Sequence, residues 1–402
     1  MSGDNIANQA GFETWGRRLR LGFVGGGKGA MIGTIQATGA RITNRWEVVA
    51  GALSARPEVA VESGRAWHLA EDRIYTDYRE MAAKEKQRPD GIDAVCVVTP
   101  NDKHHAMCCT FLDAGYDVIC DKPLTTTLDD AIDLVRRVRK AGVVFGVTHA
   151  FAANAMVRQM RDMVAAGAVG RIRQIHVAYF DEFLAFPGAE ETKQFSWRID
   201  PAQSGAASTA ADIGTHAWHL STFVSGLEMQ QVRAEFHTCS RPKPMEDTAF
   251  MHVRFAGGVP GTLNVTQVAA GERGGLHLRI YGDDGRLEWL QSESEKLRYT
   301  RLGEAEQIIT RGVGGSMADS TQRYVTLPRG YAEGWFEAWA NLYAEFAVAI
   351  AARRDGRTLP AGHVAFPTVE DGARGIKFVT AAVKSNAEGG SWQDCTLDLS
   401  AL

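Results

Sequence analysis

Hydrophobic and polar residues alternate in blocks through the first 150 positions of the chain. Short apolar runs bounded by turn residues are typical of buried strands, and the longer stretches between them carry apolar residues at helical spacing. The predicted strands cover 20–24, 47–53, 92–98, 116–120 and 143–147. The predicted helices cover 31–38, 59–69, 77–86, 104–109 and 127–140. Strands that alternate with helices predict a parallel, doubly wound sheet.

Particular residues mark the expected ends of these helices. Thr127 can accept a hydrogen bond from the first helical turn, and Asp129 and Asp130 suit the positive end of the helix dipole. Gly39 and Gly142 are expected to end the helices that precede them.

The pattern changes after residue 150. Beyond a helix at 155–166, apolar and polar residues alternate with a period of two, which predicts a largely antiparallel sheet with glycine turns. The alternating runs cover 172–179, 232–238, 248–255, 262–268 and 276–281. A glycine- and serine-rich stretch at 302–328 is expected to be a mobile surface loop. Helices at 332–353 and 368–386 are expected to close the chain.

The composition is that of an ordinary soluble globular protein. The chain has 402 residues, 45% of them hydrophobic and 23% charged, and a formal net charge of -4. A nucleic-acid-binding protein would be strongly basic, and no apolar run approaches the ~20 residues of a membrane helix. The first 15 residues lack the basic and apolar segments of a secretory signal. The six cysteines show no disulfide or metal spacing, so we expect free thiols in a reducing cytoplasm.

A glycine turn lies between the first predicted strand and the first predicted helix. Gly25, Gly27 and Ala30 fill the G-x-G-x-x-G/A positions of a dinucleotide-binding turn. The first glycine permits the tight turn, the second lets the backbone approach a pyrophosphate, and the small third residue lets the helix pack on the strand. Lys28 and Gly29 lie in the same turn, so they join the predicted cofactor-binding residues.

The residue after the second predicted strand usually distinguishes NAD from NADP. An acid there grips the ribose 2′-hydroxyl. Here the position is taken by Ser54, with Arg56 two residues further on. The missing acid removes the repulsion against a 2′-phosphate, and Arg56 either pairs with that phosphate or is an ordinary exposed residue. The sequence therefore permits NAD or NADP.

A lysine follows the predicted strand 116–120, at the edge where doubly wound sheets bind their ligands. Pro123 fixes the backbone directly after it. Taken alone, Lys122 is either a site residue or an exposed loop lysine, and the rest of the sequence has to decide between the two.

A second candidate cluster lies in the other half of the chain. If the stretch around 212–219 is helical, Asp212, His216 and His219 share one face at i, i+4 and i+7. A carboxylate one turn before a histidine can fix its tautomer and raise its basicity, as a general acid or base requires. The alternative is a helix-terminal acid followed by a core histidine.

Together these residues resemble the glucose–fructose oxidoreductase/inositol dehydrogenase/MocA family. The resemblance covers about residues 20–389. It rests on five short motifs that occur in the family's order and spacing: the glycine turn, Thr99-Pro100-Asn101 with His104, Asp121-Lys122-Pro123, Trp197-Arg198, and Asp212-Ile213-Gly214-Thr215-His216.

The resemblance implies an α/β fold with two domains after an N-terminal tail at 1–19. Residues 20–150 would form a Rossmann domain with a doubly wound parallel sheet. Residues 151–402 would form an α+β domain with a large, mostly antiparallel open sheet. One sheet face would line the substrate site, and the other would make the interface of a homodimer or homotetramer.

The resemblance also implies roles for individual residues. Lys122 would hydrogen-bond the reacting hydroxyl and the nicotinamide ribose, His216 would take the hydroxyl proton, and Asp212 would orient or share it. These are the predicted catalytic residues, and with His149 they are the predicted substrate ligands. The residues expected to line or close over the cofactor are Thr99, Asn101, His104, Asp121, Lys122, Trp197 and Arg198. Asp121 replaces the glutamate usual in the family, a shorter carboxylate.

The predicted function is an NAD- or NADP-dependent oxidoreductase that moves hydride between a ring hydroxyl of a sugar, polyol or glycoside and the nicotinamide. Two alternatives stay open. Some relatives are redox-neutral glycoside hydrolases that oxidise, eliminate, hydrate and reduce in one site. A non-catalytic dinucleotide-binding regulator would lack the chemistry of Lys122 or His216, and both residues are present.

Further charged residues remain without a definite role in the sequence. Lys193, Arg198 and Arg158 could meet an acidic group on the substrate, although Lys193 and Arg158 are more simply explained as surface charges. His104 and His105 could be metal ligands, but no second ligand pair is spaced to join them. We therefore predict no metal site.

Overall fold

Two sheets organise the chain in the computed structural model, which describes residues 17–241, 243–312 and 317–402. Most of the predicted tail and residues 313–316 of the predicted loop lie outside this description. The first sheet has parallel strands in the order β2-β1-β3-β4-β5. These strands are β1 (Leu19–Gly25), β2 (Trp46–Ala52), β3 (Ala94–Val98), β4 (Asp117–Cys120) and β5 (Phe145–Val147).

Helices cover both faces of this sheet, as the alternating pattern predicts. They are α1 (Met31–Ile42), α2 (Pro57–Ala66), α3 (Tyr78–Gln87), α4 (His104–Asp113) and α5 (Leu128–Ala141). Strands β3 and β4 are buried along their whole length, which explains why their sequences are continuous apolar runs. The predicted parallel, doubly wound sheet is confirmed.

The predicted ends of α5 are confirmed, and the predicted end of α1 is wrong. The Thr127 hydroxyl accepts a hydrogen bond from the Asp130 amide, and Gly142 ends α5 in the left-handed conformation with φ 60°. By contrast, α1 runs through Gly39. A Cβ at Gly39 would lie 2.6 Å from the Cβ of Trp339, so this glycine permits close packing and does not end the helix.

The second sheet has nine strands in the order β13-β12-β11-β10-β6-β9-β8-β7-β14 within the described residues. All its neighbours pair antiparallel except β6 and β9, so the prediction of a mostly antiparallel sheet is confirmed. The strands are β6 (Ile172–Phe180), β7 (Met229–His237), β8 (Thr248–Phe255), β9 (Val259–Thr266), β10 (Gly275–Gly282), β11 (Gly285–Leu290), β12 (Lys296–Arg301), β13 (Gln307–Thr310) and β14 (Gln393–Asp394).

Helices cover one face of the second sheet. The helices in this half of the chain are α6 (Ala155–Ala165), the short α7 (Pro201–Ser204) and α8 (Thr209–Asp212), α9 (Gly214–Ser225), α10 (Asp319–Gln322), α11 (Trp335–Arg354) and α12 (Val369–Ala387). Of these, α6, α9 and α12 pack on the second sheet. Burial alternates along β8, so every second side chain points away from these helices. Phe250 lies on that outer face and is exposed.

The stretch 302–328 is more ordered than the sequence predicts. It contains strand β13 and the short helix α10, and Tyr324 in it is buried. The Tyr324 hydroxyl donates a hydrogen bond to Glu345 on α11 at 2.5 Å. Part of the segment whose glycine and serine content predicted a mobile surface loop therefore packs onto helix α11.

Helix α11 comes late in the sequence and packs against the first sheet. The Trp46 indole donates to the Tyr343 carbonyl at 2.8 Å, and the Tyr343 hydroxyl donates to the Gln36 side chain at 2.8 Å. This packing attaches the C-terminal part of the chain to the first sheet. Among the described residues, every helix is too short or too polar to cross a bilayer.

Candidate active site

The glycine turn fits a dinucleotide. Gly25 has a φ of 82°, which glycine adopts without strain, and a Cβ at Gly27 would lie 2.6 Å from the Leu53 carbonyl oxygen. At Gly29 a Cβ would meet only the Lys193 side chain, so the backbone there is bare. The first helix also approaches the turn closely at Gly33, where a Cβ would lie 2.4 Å from the Cα of Gly26. The turn thus presents backbone covered only by the Lys193 side chain at the start of α1, where a pyrophosphate is expected to bind.

Basic side chains gather around this turn. Lys28 pairs with Glu62 at 2.5 Å, and the Lys193 ammonium donates to the Lys28 carbonyl. Burial and then the nearby Arg56 lower the pKa of Lys193. The Ser54 hydroxyl accepts from the Arg56 amide at 3.1 Å. Lys193 is exposed as expected, but it reaches across from the second domain to the cofactor side.

The loop after β3 contributes Thr99 and Asn101. The Asn101 side chain is buried and donates to the Ser204 carbonyl at 3.4 Å. His104 is fully buried, and its two ring nitrogens lie 2.9 Å from the Thr99 carbonyl oxygen and 3.0 Å from the Pro123 carbonyl oxygen. The ring of His104 thus bridges the two loops that flank the site, and its contact with the cofactor stays a prediction.

Asp121 joins three elements at the end of β4. Its carboxylate accepts hydrogen bonds from the Gln36 side chain at 3.2 Å and from the Thr148 hydroxyl at 2.5 Å. Its backbone amide donates to the Val97 carbonyl at 2.9 Å. These bonds hold the following residue, Lys122, at the carboxyl edge of the sheet.

Lys122 and Asp212 form a largely buried ion pair between the two domains. The ammonium lies 2.5 Å from a carboxylate oxygen of Asp212 and 2.7 Å from its carbonyl oxygen. The other carboxylate oxygen accepts from Gln267 at 3.1 Å and lies 3.2 Å from Nε of Arg198. Burial alone would raise the pKa of Asp212, but the charges of Arg198 and Lys122 outweigh it and hold this pKa well below its usual range. Asp212 is therefore ionised at neutral pH.

The condition that the stretch from Asp212 to His216 is one helix is not met. Asp212 ends α8, Ile213 follows, and His216 lies in the first turn of α9. The Asp212 carboxylate faces Lys122 and Gln267, so it does not fix the His216 tautomer through a hydrogen bond. Nδ1 of His216 is buried and has no hydrogen-bond partner in the described part of the chain.

Histidine rings cluster beside the ion pair. His149 stacks on His219 with centroids 4.5 Å apart and meets His216 edge-on at 5.4 Å. Nδ1 of His149 also lacks a partner among the described residues. Burial, followed by the charge of Lys122, holds the pKa of His216 well below its usual range, and burial does the same for His149. Both rings are therefore neutral at pH 7.

Gln267 and Asp181 complete the site, and neither is among the residues predicted from the sequence. Asp181 follows β6 and is buried, and one of its carboxylate oxygens accepts from the Phe183 amide at 3.1 Å. The other oxygen has no partner among residues 17–241, 243–312 and 317–402. Burial and then the charge of Asp212 raise the pKa of Asp181 to about 7. Strand β6 ends at Phe180, so Asp181 is a charged residue directly after a strand. This position was the signal in the sequence that could have indicated Asp181.

Two other arginines considered in the sequence have different positions, since Arg198 lies at the candidate site and Arg158 does not. Arg198 stacks over Trp197 with its guanidinium carbon 4.6 Å from the ring centroid, next to Asp212. Arg158 is buried and pairs with Glu345 at 2.9 Å, so its interpretation as a surface charge is wrong. Arg158 belongs to the core of the second domain.

Known proteins match most of the chain. The sequence profile of an oxidoreductase family with an NAD-binding Rossmann fold matches residues 19–149, and that of the GFO/IDH/MocA C-terminal domain matches residues 157–288. The uncharacterized oxidoreductase YfiI of Bacillus subtilis is 31% identical over 93% of this chain and 96% of its own length. The 1,5-anhydro-D-fructose reductase of Ensifer adhaerens is 31% identical over 57% of this chain and 62% of its own length.

Crystal structures of other proteins have a similar fold, at a sequence identity close to that of these relatives. An inositol dehydrogenase homolog from Azotobacter vinelandii, complexed with NADH and myo-inositol, is 31% identical with a TM-score of 0.88. The match covers 98% of this chain and 100% of that one. These matches confirm the resemblance predicted from the motifs. The chain belongs to the GFO/IDH/MocA family of oxidoreductases and carries its NAD-binding Rossmann domain.

Proposed function

We propose that this oxidoreductase is an NAD- or NADP-dependent dehydrogenase that oxidises a ring hydroxyl of a sugar, polyol or glycoside. The observation that carries the proposal is a set of unsatisfied polar groups beside the Lys122–Asp212 pair. Nδ1 of His149, Nδ1 of His216 and one Asp181 oxygen are buried without partners in the described chain. Buried polar atoms are normally hydrogen-bonded, so these atoms support binding of a ligand with several hydroxyls.

His216 is the proposed proton acceptor. Oxidation of an alcohol requires loss of the hydroxyl proton as the hydride leaves, and the acceptor must begin in its neutral form. The low pKa of buried His216 keeps its ring neutral, and its free Nδ1 can accept the proton. Phe151 packs edge-on to the ring at 5.0 Å and limits its rotation.

Lys122 and Asp212 are proposed to control charge at the reacting oxygen. The Lys122 ammonium can donate to the hydroxyl and stabilise negative charge that develops on it. The Asp212 carboxylate holds that ammonium in place at 2.5 Å and balances its charge before substrate binds. Gln267 and Arg198 fix the other oxygen of the carboxylate, so Lys122 is held by a rigid group.

The nicotinamide cofactor, when bound, supplies the hydride acceptor. Gly25, Gly27 and the start of α1 would hold its pyrophosphate, and Thr99 with Asn101 would line its nicotinamide half. Parallel α/β sheets bind ligands outside the carboxyl ends of their strands, which is also where Lys122 lies. Cofactor and substrate residues therefore meet at one edge.

The relatives support the proposed substrate class. One is a reductase of 1,5-anhydro-D-fructose, and a homolog of inositol dehydrogenase binds myo-inositol with NADH. Both compounds are cyclic and rich in hydroxyls. Asp181 would contact a second hydroxyl of such a ring.

The test is the growth of reduced-nicotinamide absorbance with NAD and with NADP across a panel of cyclitols, aldoses, anhydrosugars and aryl glycosides. We expect cofactor reduction stoichiometric with oxidised product for at least one compound. Firm cofactor binding with no turnover of any carbohydrate would contradict the proposal. Aglycone release without net cofactor reduction would establish the redox-neutral glycosidase reaction instead.

Self-association and compartment are further parts of the proposal. The outer face of the second sheet is uncovered and presents Phe250, which supports pairing of two copies as a homodimer or homotetramer. Light scattering after size exclusion would measure this, and Phe250→Glu should weaken it. All six cysteines are free thiols, which supports a reducing cytoplasm.

A further inference from the structure

A cluster of possible metal ligands lies between two helices of the first domain. His105 and Cys109 are one turn apart on α4, and Asp133 faces them from α5. Nε2 of His105 lies 2.8 Å from the Asp133 carboxylate and 3.5 Å from the Cys109 sulfur. The sulfur lies 3.9 Å from the same carboxylate oxygen. None of these residues belongs to the candidate active site.

We propose that His105, Cys109 and Asp133 form a binding site for a zinc-type divalent ion. In tetrahedral zinc sites the Zn–N and Zn–O bonds are about 2.0 Å and the Zn–S bond about 2.3 Å, so the donors stand roughly 3.3–3.6 Å apart. The separations found here are 2.8, 3.5 and 3.9 Å. Side-chain shifts of about half an ångström would bring all three donors to zinc distance.

Neighbouring residues lie close to where the outer contacts of a metal site would form. Ligating histidines commonly present their second nitrogen to a carboxylate, and ligating carboxylates are themselves hydrogen-bonded. Nδ1 of His105 lies 3.6 Å from Asp130, and Nε of Arg137 donates to Asp133 at 2.7 Å. The ion would replace the hydrogen bond between His105 and Asp133, and the Arg137 bond would remain on another lone pair of the oxygen.

The nature and exposure of the donors decide the ion. A set of nitrogen, sulfur and oxygen suits zinc, whereas magnesium and calcium prefer oxygen alone. The side chains of His105 and Asp133 are 29% and 36% exposed, so an ion can enter from solvent. Three protein ligands leave the fourth position to water. Binding would release the thiol proton of Cys109 to solvent and leave the sulfur as a thiolate ligand.

The sequence predicts no metal, because no second pair of ligands is spaced to join His104 and His105. The third ligand comes from the next helix, 24 residues beyond Cys109. Spacing along the chain therefore could not reveal the site, although a histidine and a cysteine at i and i+4 on one helix were visible.

The test is titration of the full chain, stripped with a chelator, with Co²⁺ as a spectroscopic probe and then with Zn²⁺ as competitor. We expect one Co²⁺ per chain, visible bands of a tetrahedral site and a thiolate charge-transfer band, all abolished by Zn²⁺. Cys109→Ser should remove the charge-transfer band. The matched control Cys239→Ser, which changes an exposed thiol of the second domain, should leave the spectrum unchanged.

Further variants keep the test independent of folding and of catalysis. Asp133→Asn and His105→Gln should each prevent tetrahedral binding, and Asp130→Asn should weaken Co²⁺ binding roughly 10–100-fold. Circular dichroism checks that each variant is folded. A missing thiolate band in the wild-type chain, or the same spectrum in folded Cys109→Ser, would overturn the proposal. Neither readout depends on the proposed dehydrogenase activity.

Discussion

The proposed cofactor side and the proposed substrate side of the candidate active site are built differently. The cofactor side consists of short contiguous segments at strand ends, namely 25–30, 99–101 and 121–122. The substrate side is assembled from positions far apart in the chain, namely His149, Asp181, Asp212, His216 and Gln267. A dinucleotide is held largely by backbone in turns, whereas a small polar ring is held by side chains from several elements. The former leaves contiguous motifs in the sequence, whereas on the substrate side only Asp212 and His216 share a motif, and Asp181 and Gln267 belong to none.

The two sides also differ in electrostatics. Around the glycine turn, Lys28 and Arg56 are exposed. On the substrate side burial dominates, and it moves the pKa of His216 down and the pKa of Asp181 up, whereas ion pairing moves that of Asp212 down. Pairs of groups whose pKa values are pushed apart are typical of acid–base sites. Variants can test whether the two sides contribute separately to cofactor binding and to catalysis.

Lys122 belongs to neither side alone, because it is proposed to touch both the cofactor and the substrate. Its replacement should therefore have the largest effect. Lys122→Ala should lower kcat by roughly 10²–10⁴-fold, since it removes the cation at the reacting oxygen. Cofactor binding, measured by nicotinamide fluorescence, should remain. The matched control is Lys103→Ala, whose exposed lysine pairs with Asp102 nearby. Full activity in a folded Lys122→Ala enzyme would refute the catalytic role.

His216 should affect only the substrate side. His216→Ala should lower kcat about 10²–10³-fold and leave the Kd of the cofactor unchanged, because a general base is lost. In the wild-type enzyme the protonated ring is inactive, and its pKa is lowered by burial and by Lys122. The acidic limb of kcat/KM should therefore lie below pH ~6.5, the value of an ordinary histidine. An acidic limb at or above that pH would assign the base to another group.

This contrast also explains how far the sequence could predict the molecule. The alternating pattern predicts the parallel sheet, and Thr127 and Gly142 mark α5, because strands and caps are determined locally. Tertiary contacts decided the errors: Gly39 lies within α1 under Trp339, and Arg158 is buried against Glu345. Gln267 joins the site only because β9 ends beside Asp212, which no spacing of residues encodes.

Asp181 should sharpen the comparison through its protonation. Its folded-state pKa of about 7 lies above an ordinary value of about 3.9. The folded state thus binds more protons between pH 4 and 7, and stability falls as the pH rises through that window. The total loss is on the order of 4 kcal/mol at most. Asp181→Asn cannot ionise, so its melting temperature should depend less on pH than that of the wild-type protein.

The same variant should affect catalysis moderately. If protonated Asp181 holds a substrate hydroxyl, kcat/KM should fall as the pH rises through 7, and Asp181→Asn should lose this alkaline limb. Because an amide keeps a donor, its kcat/KM at pH 6 should fall only about tenfold, and mainly through KM. The matched control is Glu246→Gln, because burial also raises the pKa of the Glu246 carboxyl to about 7. An unchanged pH profile in Asp181→Asn would place its carboxyl outside the reaction.

Arg56 should give the smallest effect, confined to the cofactor side. Its side chain is exposed beside Ser54, where an adenosine 2′-phosphate would lie. An exposed ion pair contributes at most about 1 kcal/mol, so Arg56→Ala should weaken NADP binding up to about fivefold. NAD binding should stay unchanged, because NAD lacks that phosphate. The matched control is Arg65→Ala, an exposed arginine of α2 that pairs with Glu71. Equal weakening of NAD and NADP binding would mean that Arg56 acts on the pyrophosphate, which both cofactors share. Arg56 would then not distinguish NADP from NAD.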